Sequence, residues 1–152
     1  MFDFLALLTK KNYWKIHSYI IKFILRLYGI KVGRNFYCEG VPKIKIKGKA
    51  NNIIIADNVS FLGNVDLRNR ENGKIIIDTN VTIEDNVRIV SARDGIVKIG
   101  FNSSLNAYSI LNGGGDIIIG NSCFIGARVS INSNEHEYKK DIFIRNQGFI
   151  HK

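Results

Sequence analysis

The chain has 152 residues, is 45% hydrophobic and carries 22 Lys and Arg against 13 Asp and Glu, a net charge of +9. That length and apolar share suffice for one domain with a real core and exclude a disordered chain. A single proline excludes a proline-rich linker, and two distant cysteines, Cys38 and Cys123, exclude a disulfide framework and a cysteine metal site.

The charge is uneven. Residues 1–50 hold eleven basic and two acidic side chains, whereas residues 51–152 hold eleven of each. The basic character therefore belongs to the N-terminal segment. With no recognition motif and a neutral remainder, nucleic acid is not expected as a partner. No leader with a small-residue cleavage site is legible, so the cytoplasm is the expected compartment.

Residues 1–29 read as a basic amphipathic helix. Apolar residues recur at helical spacing at Ile16, Tyr19, Ile20, Phe23, Ile24, Leu27 and Tyr28, and form one wide face. Lys11, Lys15, Lys22 and Arg26 fall on or beside the other side. Thr9 or Asn12 suits the start and Gly29 the stop. The apolar stretches are cut by lysines and are too short to span a bilayer. Two roles stay open: covering the open end of the domain formed by residues 30–131 or an oligomer contact, and lying on the inner face of a membrane. His17 reads as a surface or packing histidine, and the cysteines as buried thiols.

Residues 30–131 repeat. Ile55 opens IADNVSFLGNVDL, Ile77 opens IDTNVTIEDNVRI, Ile99 opens IGFNSSLNAYSIL and Ile119 opens IGNSCFIGARVSI; a less regular unit starts at Val32. Within the units the first and fifth places of each hexapeptide are apolar or small, as at Ile77, Val81, Ile83, Val87 and Ile89. Asn58, Asn64, Asn80, Asn86 and Asn102 occupy turn places, where Asn tolerates left-handed backbone. Another aliphatic residue precedes each opening by two, at Ile53, Ile75, Val97 and Ile117, as a strand requires. This predicts an all-β solenoid of three-sided coils, with surplus residues looping out near Arg70 to Asn72, Arg93 and Asp94, and Asn112 to Gly115. Inward ladders of Ile and Val are buried only when coils stack. Thr79 and Thr82 alone make no outward threonine ladder, which excludes an ice-binding surface.

Residues 132–152 leave the repeat in a polar segment that groups Glu135, His136 and Glu137. Taken alone, these residues fit a solvated loop or a general base with an adjacent carboxylate.

The hexapeptide pattern with its trailing histidine resembles the hexapeptide-repeat acyltransferases, of the sugar and polysaccharide O-acetyltransferase type. The resemblance covers about two thirds of the chain, and Gln147-Gly148-Phe149 extends it. It implies a left-handed parallel β-helix, a homotrimer with sites between subunits, and acetyl transfer from acetyl-CoA to a sugar hydroxyl. It implies His136, five residues beyond Ile131, as the general base. It places Asn106 at the substrate; Tyr108, Asn112 and Tyr138 are further candidates for sugar contacts, and Glu135 or Glu137 for orienting the imidazole. Arg128 reads as a surface charge, and no metal is called for. Family members carry further coils after the Gln-Gly segment, which supply much of the coenzyme A groove. Residues 132–152 are therefore expected to lead into coils missing here, and this chain alone to bind acetyl-CoA weakly. The competing expectation is a truncated or degenerate β-helix serving as an assembly or membrane-associated module.

Overall fold

The computed structural model describes residues 2–9 and 12–151; Lys11, assigned above to the polar side of the helix, lies outside them. The helix expected over residues 1–29 is divided into α1 (Phe2–Leu8) and α2 (Asn12–Leu27). Thr9 marks the division. Its hydroxyl donates to the Leu5 carbonyl at 2.8 Å and accepts from the Tyr13 N–H at 3.0 Å, ending one helix and capping the next. Gly29 stops α2 as expected. At φ +86° it donates to the Arg26 carbonyl at 2.9 Å, and Ile30 donates to that of Leu25 at 3.1 Å. This is a Schellman closure, and Ile30 and Leu25 bury together beneath it.

Five coils succeed the helices, as a left-handed parallel β-helix. The first holds β1 (Lys31–Val32), β2 (Tyr37–Glu39) and β3 (Lys43–Ile46), and the second β4 (Ile53–Ile55), β5 (Ser60–Leu62) and β6 (Asp66–Asn69). The third holds β7 (Lys74–Ile77), β8 (Thr82–Glu84) and β9 (Arg88–Ser91), and the fourth β10 (Ile96–Ile99), β11 (Ser104–Leu105) and β12 (Ile110–Gly113). The fifth holds β13 (Ile117–Ile119), β14 (Phe124–Ile125) and β15 (Ser130–Asn132). Equivalent strands stack into three five-stranded parallel sheets.

Register aligns the inward side chains into columns. Val32, Ile55, Ile77, Ile99 and Ile119 form one; Cys38, Phe61, Ile83, Leu105 and Ile125 a second; Ile44, Leu67, Ile89, Leu111 and Ile131 a third. The middle members are fully buried, so the ladders are the core. Each coil supplies apolar side chains that only its neighbours cover.

Two corners repeat a left-handed backbone. Asn35, Asn58, Asn80, Asn102 and Ser122 have φ of +51 to +59° at the first. Their side chains bond along the stack: Asn35 Nδ2 donates to Asn58 Oδ1 and Asn58 Nδ2 to Asn80 Oδ1, each at 3.0 Å. At the second corner the left-handed residues are Gly40, Gly63, Asn86, Tyr108 and Arg128. The turn role assigned to Asn64 thus passes to Gly63, at φ +139°, where a Cβ would strike Asp85. Asn64 instead accepts from the Val41 N–H through Oδ1 at 3.2 Å.

Polar residues also enter the core. Ser103 and Ser109 stand where earlier coils place valine, and both are buried. The Ser103 hydroxyl donates to the Gly120 carbonyl and accepts from the Cys123 N–H, both at 2.9 Å. Ser109 does the same with Gly126 and Val129, at 2.9 and 3.2 Å. Asn69, fully buried, donates through Nδ2 to the Gly73 carbonyl and closes the first surplus loop.

α2 closes the first coil. In a parallel ladder alternate residues face alternate neighbours, so half of the backbone groups of the first coil face away from the stack. Three side chains of α2 meet them. Arg26 donates to the Val32 carbonyl, with Nε at 3.1 Å. Ser18 Oγ accepts from the Cys38 N–H at 2.8 Å and donates to its carbonyl at 3.3 Å. His17 Nε2 lies 2.6 Å from the Gly40 carbonyl. Trp14, Ile21 and Leu25 pack between these contacts. The apolar face from Ile16 to Leu27, for which packing on the coils and contact with a membrane both stayed open, is exposed.

Candidate functional site

The surplus residues of the coils gather at the third corner, where the third sheet turns back into the first. They form an open depression lined by Arg70, Glu71, Arg93, Asn112, Gly114 and Asn134 among others. Arg70 and Arg93 form no ion pair with a described residue.

The fifth coil departs from the pattern at this corner. Ser133, buried, donates to the Gly115 carbonyl at 2.9 Å and accepts from its N–H at 3.1 Å. β16 (Asn134–His136) then leaves the solenoid and pairs antiparallel with β17 (Phe149–His151). His136 faces Phe149 in that register. Asn112 Nδ2 donates to Asn134 Oδ1 at 3.4 Å, across adjacent coils. Strand alternation puts Asn134 and His136 on one face of β16 and Glu135 on the other. His136 thus shares the side of the strand that carries the Asn112 contact, and it is exposed.

The segment beyond His136 is held by one amide. Gln147 Oε1 accepts from the Lys139 N–H at 2.6 Å, while Nε2 donates to the carbonyls of Lys139 at 3.2 Å and Ile142 at 2.7 Å. Gln147 therefore shapes the loop that carries Tyr138, whose ring is exposed. The Glu137 carboxylate is paired with Lys139 Nζ at 3.3 Å and lies against Gly148.

Of the residues singled out by sequence, Asn112 and His136 are brought to one corner. Asn106 and Tyr108 are not. They lie at the second corner, where the Asn106 N–H donates to the Ile125 carbonyl at 3.0 Å and the Arg128 guanidinium lies 5.9 Å from the Tyr108 ring centre. Four residues of strand separate Tyr108 from Asn112, about 13 Å at 3.3 Å per residue. Arg128 is exposed, with that ring as its neighbour. Sequence reasoning did not single out Asn134 or Arg93 as site residues. Their placement comes from stacking at a corner, although Asn134 stands two residues before the histidine.

Among the described residues no cluster of His, Cys, Asp and Glu could hold a metal ion. The depression instead offers two amides and two guanidinium groups beside the Glu71 carboxylate, and the exposed His136 stands two residues beyond Asn134 on β16, an arrangement that suits a polar molecule. Compared with protein-family models, with curated proteins and with solved structures, the chain has no match.

Proposed function

We propose that the chain is an O-acetyltransferase that moves an acetyl group from acetyl-CoA to a sugar hydroxyl, in a surface polysaccharide or its precursor. The observation that carries this is His136, delivered by β16 from the corner of a hexapeptide coil onto the face shared with Asn134 and its partner Asn112. The resemblance of the repeat to hexapeptide acyltransferases supplies the reaction class.

The residues divide the work simply. A neutral His136 takes the proton of the sugar hydroxyl as its oxygen attacks the thioester carbonyl. The new C–O bond forms, the C–S bond breaks, and the imidazolium returns the proton to the departing thiolate. A backbone N–H of a neighbouring coil serves the oxyanion. Asn112 and Asn134 offer amide contacts to the acceptor, and Arg70 and Arg93 favour one that carries phosphate or carboxylate. A homotrimer accommodates the separation of Asn106 and Tyr108 from His136, because one copy could lend its second corner to the third corner of another.

The test is transfer from labelled acetyl-CoA to a panel of sugar acceptors, by the parent chain and by His136→Ala. Loss of about 10²–10⁴-fold in the variant is expected for a general base. Equal transfer by both would remove His136 from the mechanism. No transfer by the parent would favour the assembly or membrane-associated module.

A further inference from the structure

We infer that the outer face of α1 and α2, together with the lysines of the first coil, docks this protein on an anionic lipid bilayer. The inference is independent of the acetyl-transfer reading.

α2 carries two apolar stripes. Trp14, Ser18, Ile21 and Leu25 face the coil and are buried. Ile16, Ile20, Phe23 and Leu27 repeat the same spacing two residues later, about 200° around the helix and so on the opposite side. Nothing among the described residues covers this second stripe: Phe23 is 63% and Leu27 71% exposed. Tyr19 and Ile24 widen it, and Phe4, Leu7 and Leu8 of α1 add exposed apolar surface. A stripe made only to close the solenoid would need one apolar face, and that face is already in use.

The charges around the stripe select the partner. α2 holds Lys15, Lys22 and Arg26 and no acidic residue. Lys15, Lys22 and Arg34 line a groove with Tyr19 and Tyr37 beside the helix. Burial, and then the charge of Arg26, pulls the Lys22 ammonium below the usual lysine range against the opposing charge of Asp57, which is paired with Arg34 at 2.7 Å. At the other end Tyr28 shares a groove with Lys45 and Lys47, in the exposed row Lys43, Lys45, Lys47 and Lys49. Lysines on an edge strand also deter strand pairing, but that need does not explain the exposed apolar stripe of α2, whose end residue Tyr28 meets them. Glu39, the acidic residue of the first coil, is occupied by the Tyr37 hydroxyl at 2.7 Å. A second copy placed face to face would set these cations against their own kind, whereas phosphate headgroups neutralise them. No described helix is long and apolar enough to cross a membrane. The bound helices therefore lie in the headgroup plane, with Phe23 and Leu27 buried among acyl chains and the lysines at the phosphates.

The experiment is co-sedimentation of the full chain with vesicles of phosphatidylcholine alone or with about 30% phosphatidylglycerol, at low and high salt. Phe23→Asp/Leu27→Asp and a fourfold Lys→Glu variant at positions 43, 45, 47 and 49 are measured alongside, with circular dichroism to confirm folding. Binding to the anionic vesicles at least tenfold tighter than to neutral ones, weakened by salt and lost by at least tenfold in both folded variants, is the expected result. Equal, salt-insensitive binding to both vesicles would overturn the charge argument. Absence of vesicle binding, with the Phe23→Asp/Leu27→Asp change converting an oligomer to monomer by light scattering, would show that a second copy covers the face and would overturn the inference outright.

Discussion

Ser18→Ala tests how α2 is held. The Ser18 hydroxyl is buried and serves both backbone groups of Cys38, accepting at 2.8 Å and donating at 3.3 Å. Its bond to the Trp14 carbonyl is dispensable, because a helical carbonyl has its own ladder. The one hydroxyl proton is shared between the Trp14 carbonyl at 2.6 Å and the more distant Cys38 carbonyl, so the group orphaned by removing the hydroxyl is the Cys38 N–H. An orphaned buried group costs about 1–3 kcal/mol, which is the expected loss. Apolar packing by Trp14, Ile21 and Leu25 is untouched, so the loss reports the hydrogen bonds. Trp14 is the sole tryptophan and is buried beneath the helix, so its fluorescence tracks undocking in urea. Amide exchange at Cys38 should quicken about fivefold or more, while amides of the third coil keep their protection. Lys15→Ala, on the exposed side, should stay within about 0.5 kcal/mol. A Ser18→Ala chain that loses less than that, with Cys38 protection intact, would refute the end-cap reasoning.

Two further predictions concern the coils. Burial, and then the charge of Glu39, pushes the Cys38 thiol up to about 12, whereas Cys123 is half-buried. A thiol reagent at neutral pH should label Cys123 in the native chain and both cysteines in denaturant; rapid native labelling of both would place Cys38 outside the core. Asp66 is pushed up by burial, but the hydrogen bond and charge of Arg68, with Arg88 and Lys43, outweigh this and hold it below the usual carboxylate range. A folded pKa below the unfolded value means that the contribution is complete above the unfolded pKa, about 3.9, and is lost as pH falls through the lower folded value. The stability lost in Asp66→Asn should therefore be constant near neutrality and shrink below about pH 4; a difference unchanged at about pH 2 would contradict this.

The coils were legible because one requirement recurs: an aliphatic residue every time the chain turns inward. Asn58, Asn80, Asn86 and Asn102 betrayed the corners because left-handed backbone narrows the choice of residue. Which face of α2 packs on the coils was not legible, for a physical reason. Its wider stripe, Ile16 to Leu27, carries more apolar surface, but only the other stripe presents Ser18 to the open backbone of the first coil, with His17 and Arg26 at its flanks. Hydrogen-bond demand at the end of a ladder chose the face. The buried roles of Asn69, Ser103 and Ser109 were not legible, since their partners lie across a loop or in the next coil. At the candidate site, His136 was visible as the histidine that follows the last coil by a few residues, ahead of His151. Its neighbours Asn112 and Asn134 meet only through stacking, and the same stacking keeps Asn106 on another corner.

Because α2 shuts one end of the stack and β16 leaves from the other, the coil count fixes the span between them. Adjacent coils lie about 4.8 Å apart, so the four steps from β1 to β13 amount to about 19 Å. That span is graduated. Ile55, Ile77 and Ile99 succeed one another at 22-residue intervals, so excising one such interval returns every column to alignment. Within these three coils an excision of another length throws the asparagine corners out of line, whereas the steps from Val32 to Ile55 and from Ile99 to Ile119 are 23 and 20 residues. The solenoid is thus a gauge whose length changes by whole divisions while both fittings at its ends stay the same.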